Sequence, residues 1–329
     1  MPHSQQQANF SLRVATCNGL ALNGEEVPGV STSARTTRLD MQFHGEQVAL
    51  VGIQGARTSE GCRVSDNYKI YSSGFRQCGN SRHFGCELWV HKKLPFCTMP
   101  DGRKVGLHNC KITITTQEQR IMVAFFEGPI SLQVVVAHAL CVSAERPIYI
   151  VKQWWEQTAV HVGNSLSENV VVLIDANAPL ADRDTQFFGM HHAEAMNPQG
   201  FEFQDFLIST CPYAPSTFPQ HSGMSATWRH PRGDRLRRDY VLLSRPLFSI
   251  CTKSYVKADF DGGFCHVDHC PAVCEAEGFM LLRETGKRFH WDFHKIHDVE
   301  AQRAFSDALT SLPLPSWSVT IGRRSFKNC

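Results

Sequence analysis

The chain has 329 residues, of which 42% are hydrophobic and 19% charged, and its formal net charge is +2. This composition excludes a largely disordered chain and supplies enough apolar residues for one large domain or two modest ones. No run approaches the roughly 20 apolar residues of a membrane span, and the first residues lack the basic stretch and apolar block of a secretory signal. We therefore expect a nuclear or cytoplasmic protein that is not secreted and has no membrane partner.

Alternating apolar and polar residues predict mostly strands, separated by a few helices. After a flexible polar tail over residues 1–9, strands are predicted over residues 10–17, 48–53, 68–72, 86–91, 110–116, 120–126, 131–138, 170–174, 238–244 and 270–274. Helices are predicted over residues 33–44, 144–162 and 200–209. This pattern favours a mixed two-sheet α/β sandwich over a doubly wound parallel sheet. We expect one domain over residues 10–276, then a linker and helix over residues 277–329, because the composition changes near their junction.

Thirteen cysteines are scattered along the chain. Several lie inside apolar runs (Cys17, Cys141, Cys251), which favours buried free thiols over a disulfide framework. The densest group runs from Cys265 to Cys274 and includes two histidines, so a structural zinc site is the alternative there. Because this group lacks a Cys-x-x-Cys pair and finger-like spacing, we favour free thiols.

Polar side chains recur where predicted strands begin or end. They comprise amides, carboxylates and imidazoles: Asn18, His138, Asp175, Asn177, Asp239, Asp268 and His269. Any one of them alone is more simply a cap or a turn residue. Because strand ends are rigid and reach solvent, so many of them with mixed chemistry indicate a hydrolytic site.

These residues belong to an ordered set of short motifs. In chain order the motifs are Asn18, Val-Gly-Ile-Gln54, Ala-His138, Ile-Asp175-Ala-Asn177, Arg-Asp239-Tyr240-Val-Leu-Leu and Val-Asp268-His269-Cys-Pro. The set resembles the endonuclease/exonuclease/phosphatase superfamily, which includes pancreatic-type deoxyribonucleases and abasic-site endonucleases, over residues 11–275.

Within that superfamily, the chain is most similar to the endonuclease domains of retrotransposons lacking long terminal repeats. The features that indicate this group are Gly-Ile-Gln54-Gly-Ala-Arg57-Thr, Gly85-Cys-Glu-Leu-Trp-Val, Thr217-Phe218, Thr227-Trp228 and the tail Leu-Pro-Leu-Pro-Ser-Trp. The similarity implies DNA as the partner, and a reverse transcriptase region on a longer parent polyprotein.

The resemblance implies a four-layer sandwich of two mixed β-sheets with helices on the outer faces, and it implies catalytic roles. Asp175 would orient and deprotonate the attacking water, and Asn177 would hold the phosphate. His269, oriented by Asp239, would hydrogen-bond a non-bridging oxygen, and His138 would assist proton transfer or stabilise charge.

The implied metal is Mg²⁺, with Mn²⁺ as the alternative, held by Asn18 and Asp268. The superfamily's second motif normally reads Gln-Glu and supplies a metal-binding glutamate, whereas this chain has Gln54-Gly55. Losing that carboxylate weakens metal binding unless Glu60 or Glu87 replaces it. For Glu87 we favour a simpler role, as the cross-strand partner of an arginine or lysine.

Arginines cluster between residues 229 and 238, beside Trp228 and Tyr240, as a phosphate backbone and an unstacked base would require. Alone, the cluster is more simply a solvated surface loop. With the resemblance, it yields the predicted substrate contacts Arg57, Trp228, Arg237, Arg238 and Tyr240.

The sequence thus favours a weakened Mg²⁺-dependent DNA endonuclease. The alternatives are an inactive nucleic-acid-binding remnant and a phosphatase or lipid phosphodiesterase with the same fold.

Overall fold

The computed structural model describes residues 6–22, 32–78, 81–180, 185–230, 233–262 and 269–282. These residues all belong to the first of two compact units, Met1–Arg283. Asp268, Cys265 and the helix predicted near the C-terminus lie outside the described residues. Among the helices that are described, none has the length and apolar character needed to cross a bilayer.

Strands far outnumber helices in the described part of the chain. The strands are β1 (Gln7–Asn18), β2 (Leu50–Gln54), β3 (Gly61–Val64), β4 (Tyr68–Ser72), β5 (Arg76–Cys78), β6 (Ser81–His83), β7 (Glu87–His91), β8 (Pro95–Thr98), β9 (Lys104–Gly106), β10 (Lys111–Glu118), β11 (Ile121–Glu127), β12 (Leu132–His138), β13 (Val170–Asp175), β14 (His221–Ser222), β15 (Trp228–Arg229), β16 (Arg235–Leu236), β17 (Asp239–Leu243), β18 (Cys251–Val256) and β19 (Ala272–Leu281). The helices are α1 (Thr32–Gly45), α2 (Ile148–Gly163), α3 (Pro198–Thr210) and α4 (Arg245–Ser249).

Two mixed sheets contain most of these strands. The first sheet has the order β14-β18-β19-β1-β2-β7-β4-β3; in addition, β8 pairs with β1, and β9 pairs with β8. Its central strand, β1, pairs in parallel with β2 and antiparallel with β19. The second sheet has the order β10-β11-β12-β13-β17, and only its β12–β13 pair is parallel. The sequence-based prediction of two mixed sheets is therefore confirmed.

Three buried clusters define the layers between these elements. One lies between the two sheets and includes Phe10, Leu88 and Leu173. A second covers the outer face of the second sheet, where α2 and α3 pack, and a third covers the outer face of the first sheet, where α1 packs. Since three buried interfaces require four layers, the four-layer sandwich with helices outside is also confirmed.

Long elements match their predicted positions, whereas short ones were not predicted. The strand predicted over residues 68–72 has those bounds, and the long helices shift by only a few residues. Strands of two to four residues carry too few side chains to show a period. The predicted N-terminal tail and C-terminal linker each contain strand residues, because β1 and β19 pair without a break from Gln7↔Leu281 to Thr16↔Ala272.

Candidate active site

The candidate site begins with two carboxylates on neighbouring strands of the second sheet. Asp175 ends β13 and Asp239 begins β17, and these two residues pair directly in the antiparallel register. The Nδ1 atom of His269 lies 2.8 Å from Oδ2 of Asp239. Ligand atoms of all three residues lie within 4.8 Å of one another, and each residue is buried. Three polar residues that are far apart in the sequence therefore form one cluster in the structure.

This cluster has the electrostatics of a cation site. Burial, and then the neighbouring Asp239 carboxylate, raise the pKa of Asp175. The Oδ1 atom of Asp239 is buried and makes no hydrogen bond. Two adjacent buried carboxylates repel each other, and a divalent cation between them would neutralise that repulsion. The unpartnered oxygen of Asp239 is the kind of ligand that such a cation prefers. Asp175, Asp239 and His269 are the described residues that could hold it.

Asn18 connects the first sheet to this cluster. It ends β1, and its Nδ2 atom donates to Oδ2 of Asp175 at 2.8 Å. Its Oδ1 atom accepts from the Leu20 amide at 3.1 Å. The proposed metal ligand Asn18 therefore lies at the site, with its amide engaged by protein partners in this structure.

Gly55, which stands where a carboxylate was expected, lies beside Asn18. Its φ of +63° is in the left-handed region, where an L side chain is strained. A Cβ atom at this position would lie 2.7 Å from Oδ1 of Asn18. A glutamate here would therefore have to displace Asn18 or change the backbone.

His138 and Asn177 flank Asp175 on the other side. His138 pairs with Asp175 across β12 and β13, and its Nε2 atom lies 3.7 Å from Oδ2 of Asp175. Burial lowers the pKa of His138 to about 4, so the imidazole is neutral at pH 7 and the contact is not an ion pair. The Asn177 amide donates to Oδ1 of Asp175 at 3.0 Å.

Thr227 is a site residue whose role the sequence did not reveal. Its buried hydroxyl accepts hydrogen bonds from the Arg238 and Asp239 amides, both at 2.9 Å. Its carbonyl accepts from the Cys270 amide at 2.7 Å. Thr227 thus holds the residues around the Asp239–His269 pair. Thr227 belongs to the motif Thr227-Trp228, but the motif did not indicate that its hydroxyl accepts hydrogen bonds from the backbone of the site.

Two predicted substrate contacts are corrected by the structure. Arg237 is 2% exposed, and its guanidinium donates to the carbonyls of His191 and His192. Tyr240 is 0% exposed, and its hydroxyl donates to carbonyls inside the core. Both side chains are buried and hydrogen-bonded within the protein, an arrangement that does not fit direct contact with a substrate. The pattern of basic and aromatic residues gave no indication of burial.

The other predicted substrate contacts are less buried. Trp228 is half-buried and forms an isolated β-bridge with His269, which brings it against the site. Arg238 is half-buried, with its Nη1 atom 3.5 Å from Glu194 Oε2. Arg57 follows Gly55 by two residues, also has a left-handed φ, of 54°, and donates its amide to the Phe84 carbonyl.

Neither candidate replacement for the missing carboxylate joins the cluster. Glu87 is 0% exposed and forms a bidentate ion pair with Arg63, with N–O distances of 2.7 and 2.9 Å. It also accepts from Trp89 Nε1 at 2.8 Å, so it is the charge partner that we favoured. Glu60 lines a cavity of about 640 Å³ beside Asp40 and α1, and none of the cluster residues line that cavity. This cavity is therefore separate from the site.

The zinc alternative has little support among the described residues. Cys265 and His266 lie outside them, while Cys270 and Cys274 form no disulfide. Burial raises the pKa of Cys274 well above its ordinary value, which disfavours the thiolate that zinc requires. The other cysteines that the structure describes carry no disulfide either, in agreement with the expected free thiols.

Solved structures share this architecture. The AP endonuclease LMAP from Leishmania major matches with a TM-score of 0.59 and 14% identity, over 82% of this chain and 88% of that chain. The 3′ phosphatase NExo from Neisseria, solved with a product DNA hairpin, matches with a TM-score of 0.54 and 14% identity, over 81% and 100%. The endonuclease domain of TRAS1, a telomere-specific non-LTR retrotransposon, matches with a TM-score of 0.50 and 14% identity, over 81% and 98%.

No protein-family model matches the sequence, and no curated protein matches it either. The structural matches are to nucleases and a phosphatase that all have the endonuclease/exonuclease/phosphatase fold. This chain therefore has that fold, as its motifs led us to expect.

Proposed function

We propose that this chain is a metal-dependent phosphodiesterase that acts on DNA, of the type encoded by retrotransposons lacking long terminal repeats. The observation that carries the proposal is the buried group Asp175, Asp239 and His269, with ligand atoms within 4.8 Å of one another. Buried carboxylates are seldom adjacent without a cation or a catalytic role, because their mutual repulsion is strong in a low-dielectric interior.

Each polar group has a task in this reaction. Asp175 orients the attacking water and takes its proton, since a carboxylate with a raised pKa is a stronger base. Asp239 accepts from Nδ1 of His269, so Nε2 would donate to a phosphate oxygen in the imidazolium form of the ring. Asn177 positions the phosphate, and neutral His138 is available to accept a proton beside Asp175.

A bound Mg²⁺ or Mn²⁺ would neutralise charge that develops on the phosphate during hydrolysis. Asp175, Asp239 and Asn18 are the described residues proposed to supply oxygen ligands, and Asp268 is proposed as a further ligand from its sequence motif. Glycine at position 55 removes one expected negative charge, so we propose that the metal binds weakly and that activity is reduced.

DNA is supported as the substrate by the hairpin of β15 and β16. Arg229 and Arg235 are exposed and directly opposed in its register. Like charges in opposed positions destabilise a hairpin unless an anionic partner neutralises them. The hairpin borders a cavity of about 460 Å³ that Trp228 and Cys270 also line, next to His269. A polyanion that follows the hairpin would thus reach the site.

A second candidate function is nucleic-acid binding without cleavage. Glycine at position 55 favours it, because the site lacks one expected carboxylate and the left-handed φ there strains any L side chain. In this case the basic hairpin still binds DNA, and the carboxylate pair is a remnant.

The test is Mg²⁺- or Mn²⁺-dependent nicking of supercoiled plasmid by the full chain. We expect slow nicking that Asp239→Asn and His269→Ala reduce to similar extents, at least 100-fold, since each removes the same hydrogen-bonded pair. Asp101→Asn, at an exposed turn, is the matched control and should leave nicking unchanged. Binding of plasmid without any metal-dependent nicking would favour the second candidate. Nicking that survives Asp239→Asn would contradict the assignment of this site.

Two further predictions depend on the sequence motifs. The retrotransposon-type motifs predict a reverse transcriptase region on a longer parent polyprotein. The composition predicts a nuclear or cytoplasmic location. Both stay predictions, which detection of the parent polyprotein and imaging of a tagged chain would test.

A further inference from the structure

Arg120 occupies the turn between β10 and β11, at the end of the second sheet nearest the site. Arg120 is half-buried, and burial lowers its pKa to about 10, so it still carries a positive charge at pH 7. Its contacts indicate what it does.

Arg120 makes hydrogen bonds with both the backbone amide and the backbone carbonyl of His138. Its carbonyl accepts from the His138 amide at 2.8 Å. Its Nη1 atom donates to the His138 carbonyl at 2.9 Å and to the Ala139 carbonyl at 3.1 Å. The end of β12, where the catalytic candidate His138 lies, is therefore fixed from two directions by one residue.

Phe84 covers the guanidinium from the side of the first sheet. The Cζ atom of Arg120 lies 3.6 Å from the centre of the Phe84 ring, a stacked cation–π contact. That ring also meets the His138 ring edge-on, with centroids 6.3 Å apart. Phe84 has a left-handed φ of 67°, and the next residue, Gly85, donates to the Gln119 carbonyl at 2.9 Å. This segment joins the two sheets beside the site.

The same contacts continue to Asn177. The Ala139 carbonyl that accepts from Arg120 also accepts from Nδ2 of Asn177, at 3.0 Å. Asn177 has a φ of 51°, a conformation that few residues adopt without local hydrogen bonds. Because an amide has two N–H donors, the one directed at Ala139 fixes the orientation of the other.

We propose that Arg120 is a positioning residue for the candidate nuclease reaction, which fixes His138 and Asn177 through the carbonyls of residues 138 and 139. Phe84 packs against the guanidinium and limits its movement away from the two carbonyls. This inference rests on the proposed function for its catalytic consequence, but not for its structural one. A lysine cannot replace the arginine, because a single ammonium cannot stack flat on a ring and still serve two neighbouring carbonyls equally well.

The test compares Arg120→Lys with Arg103→Lys, a matched change at an exposed arginine. In ¹⁵N-labelled protein, we expect the side-chain amide signal of Asn177, assigned through Asn177→Asp, to shift in Arg120→Lys and to stay in place in Arg103→Lys. In the nicking assay, we expect kcat to fall at least tenfold in Arg120→Lys, with KM changed less than twofold. Phe84→Leu, a milder change, should shift the same signal in the same direction.

The two readouts separate the possible failures. An unmoved Asn177 signal in a folded Arg120→Lys protein overturns the proposal, whatever the activity. A moved signal with unchanged kcat, in an active parent protein, also overturns it, because the contact would then be structural only. If the parent protein does not nick DNA, the proposed function fails, and the Asn177 signal alone decides whether Arg120 positions this residue. If Arg120→Lys does not fold, Phe84→Leu supplies the same comparison.

Discussion

Gly55 is subject to two opposed requirements. The backbone requires glycine, because a φ of +63° strains any L side chain by roughly 1–2 kcal/mol. The nearby cation site would gain from a carboxylate. We predict that Gly55→Glu and Gly55→Gln lower the melting temperature equally, since both add the same strain. We also predict that Gly55→Glu binds Mn²⁺ at least tenfold more tightly than Gly55→Gln, a difference of about 1.4 kcal/mol.

Calorimetric titration with Mn²⁺, together with thermal unfolding of the same preparations, checks this prediction. Gly55→Ala is the control for strain without a long side chain. Equal Mn²⁺ affinities for the Glu and Gln variants would mean that position 55 does not reach the metal.

At the scale of elements, the β15–β16 hairpin places two positively charged side chains, Arg229 and Arg235, directly opposite each other. We predict that the double variant Arg229→Ser/Arg235→Ser is as stable as the parent or slightly more so, because opposed like charges are removed. Its affinity for duplex DNA should fall. The slope of log affinity against log salt should decrease by roughly 2, one counterion for each lost contact.

Fluorescence anisotropy between 50 and 200 mM salt measures that slope. The double variant Arg103→Ser/Lys104→Ser, which removes two exposed cations elsewhere, is the matched control. An equal loss of affinity in both double variants would show that total charge, and not the hairpin, governs binding.

The sequence predicted long elements well and buried polar contacts poorly. The run Val170–Asp175 is apolar up to its last residue, so the sequence alone predicted both the buried strand and the carboxylate at its end. Arg237 and Tyr240 were misassigned, because a basic and aromatic pattern does not reveal which side chains are buried. Arg120 could not be found at all. Its partners are backbone carbonyls 18 and 19 residues away, and any residue type supplies such carbonyls.

For the whole molecule, buried histidines predict a loss of stability in mild acid. Burial lowers the pKa of His221 to about 4, while its unfolded value is near 6.5. Between these values the unfolded chain takes up a proton that the folded chain does not, so stability falls as pH decreases from 6.5 to 4. His91, with a pKa lowered to about 4 mainly by burial, acts in the same direction. The raised pKa of Asp175 acts oppositely.

A variant comparison isolates the contribution of His221. We predict that His221→Gln destabilises the protein at pH 7, and that this deficit shrinks by about 2 kcal/mol at pH 4.5, since each pKa unit corresponds to ~1.4 kcal/mol. Urea unfolding at both pH values measures the difference, and the carboxylates cancel because both proteins contain them. His192→Gln, at an exposed position, is the control. A deficit that does not change with pH would contradict the prediction.

The first sheet is assembled from both ends of the described chain, with the second sheet between them in sequence. A ribosome therefore releases Asn18 first, then Asp175 and Asp239, and His269 just before β19, the last of the described strands. Until β19 emerges, the central strand β1 lacks one neighbour and the buried carboxylates lack their imidazole. The complete group is therefore present only in a nascent chain that includes His269, and we expect the proposed site to form only after β19 has been synthesised.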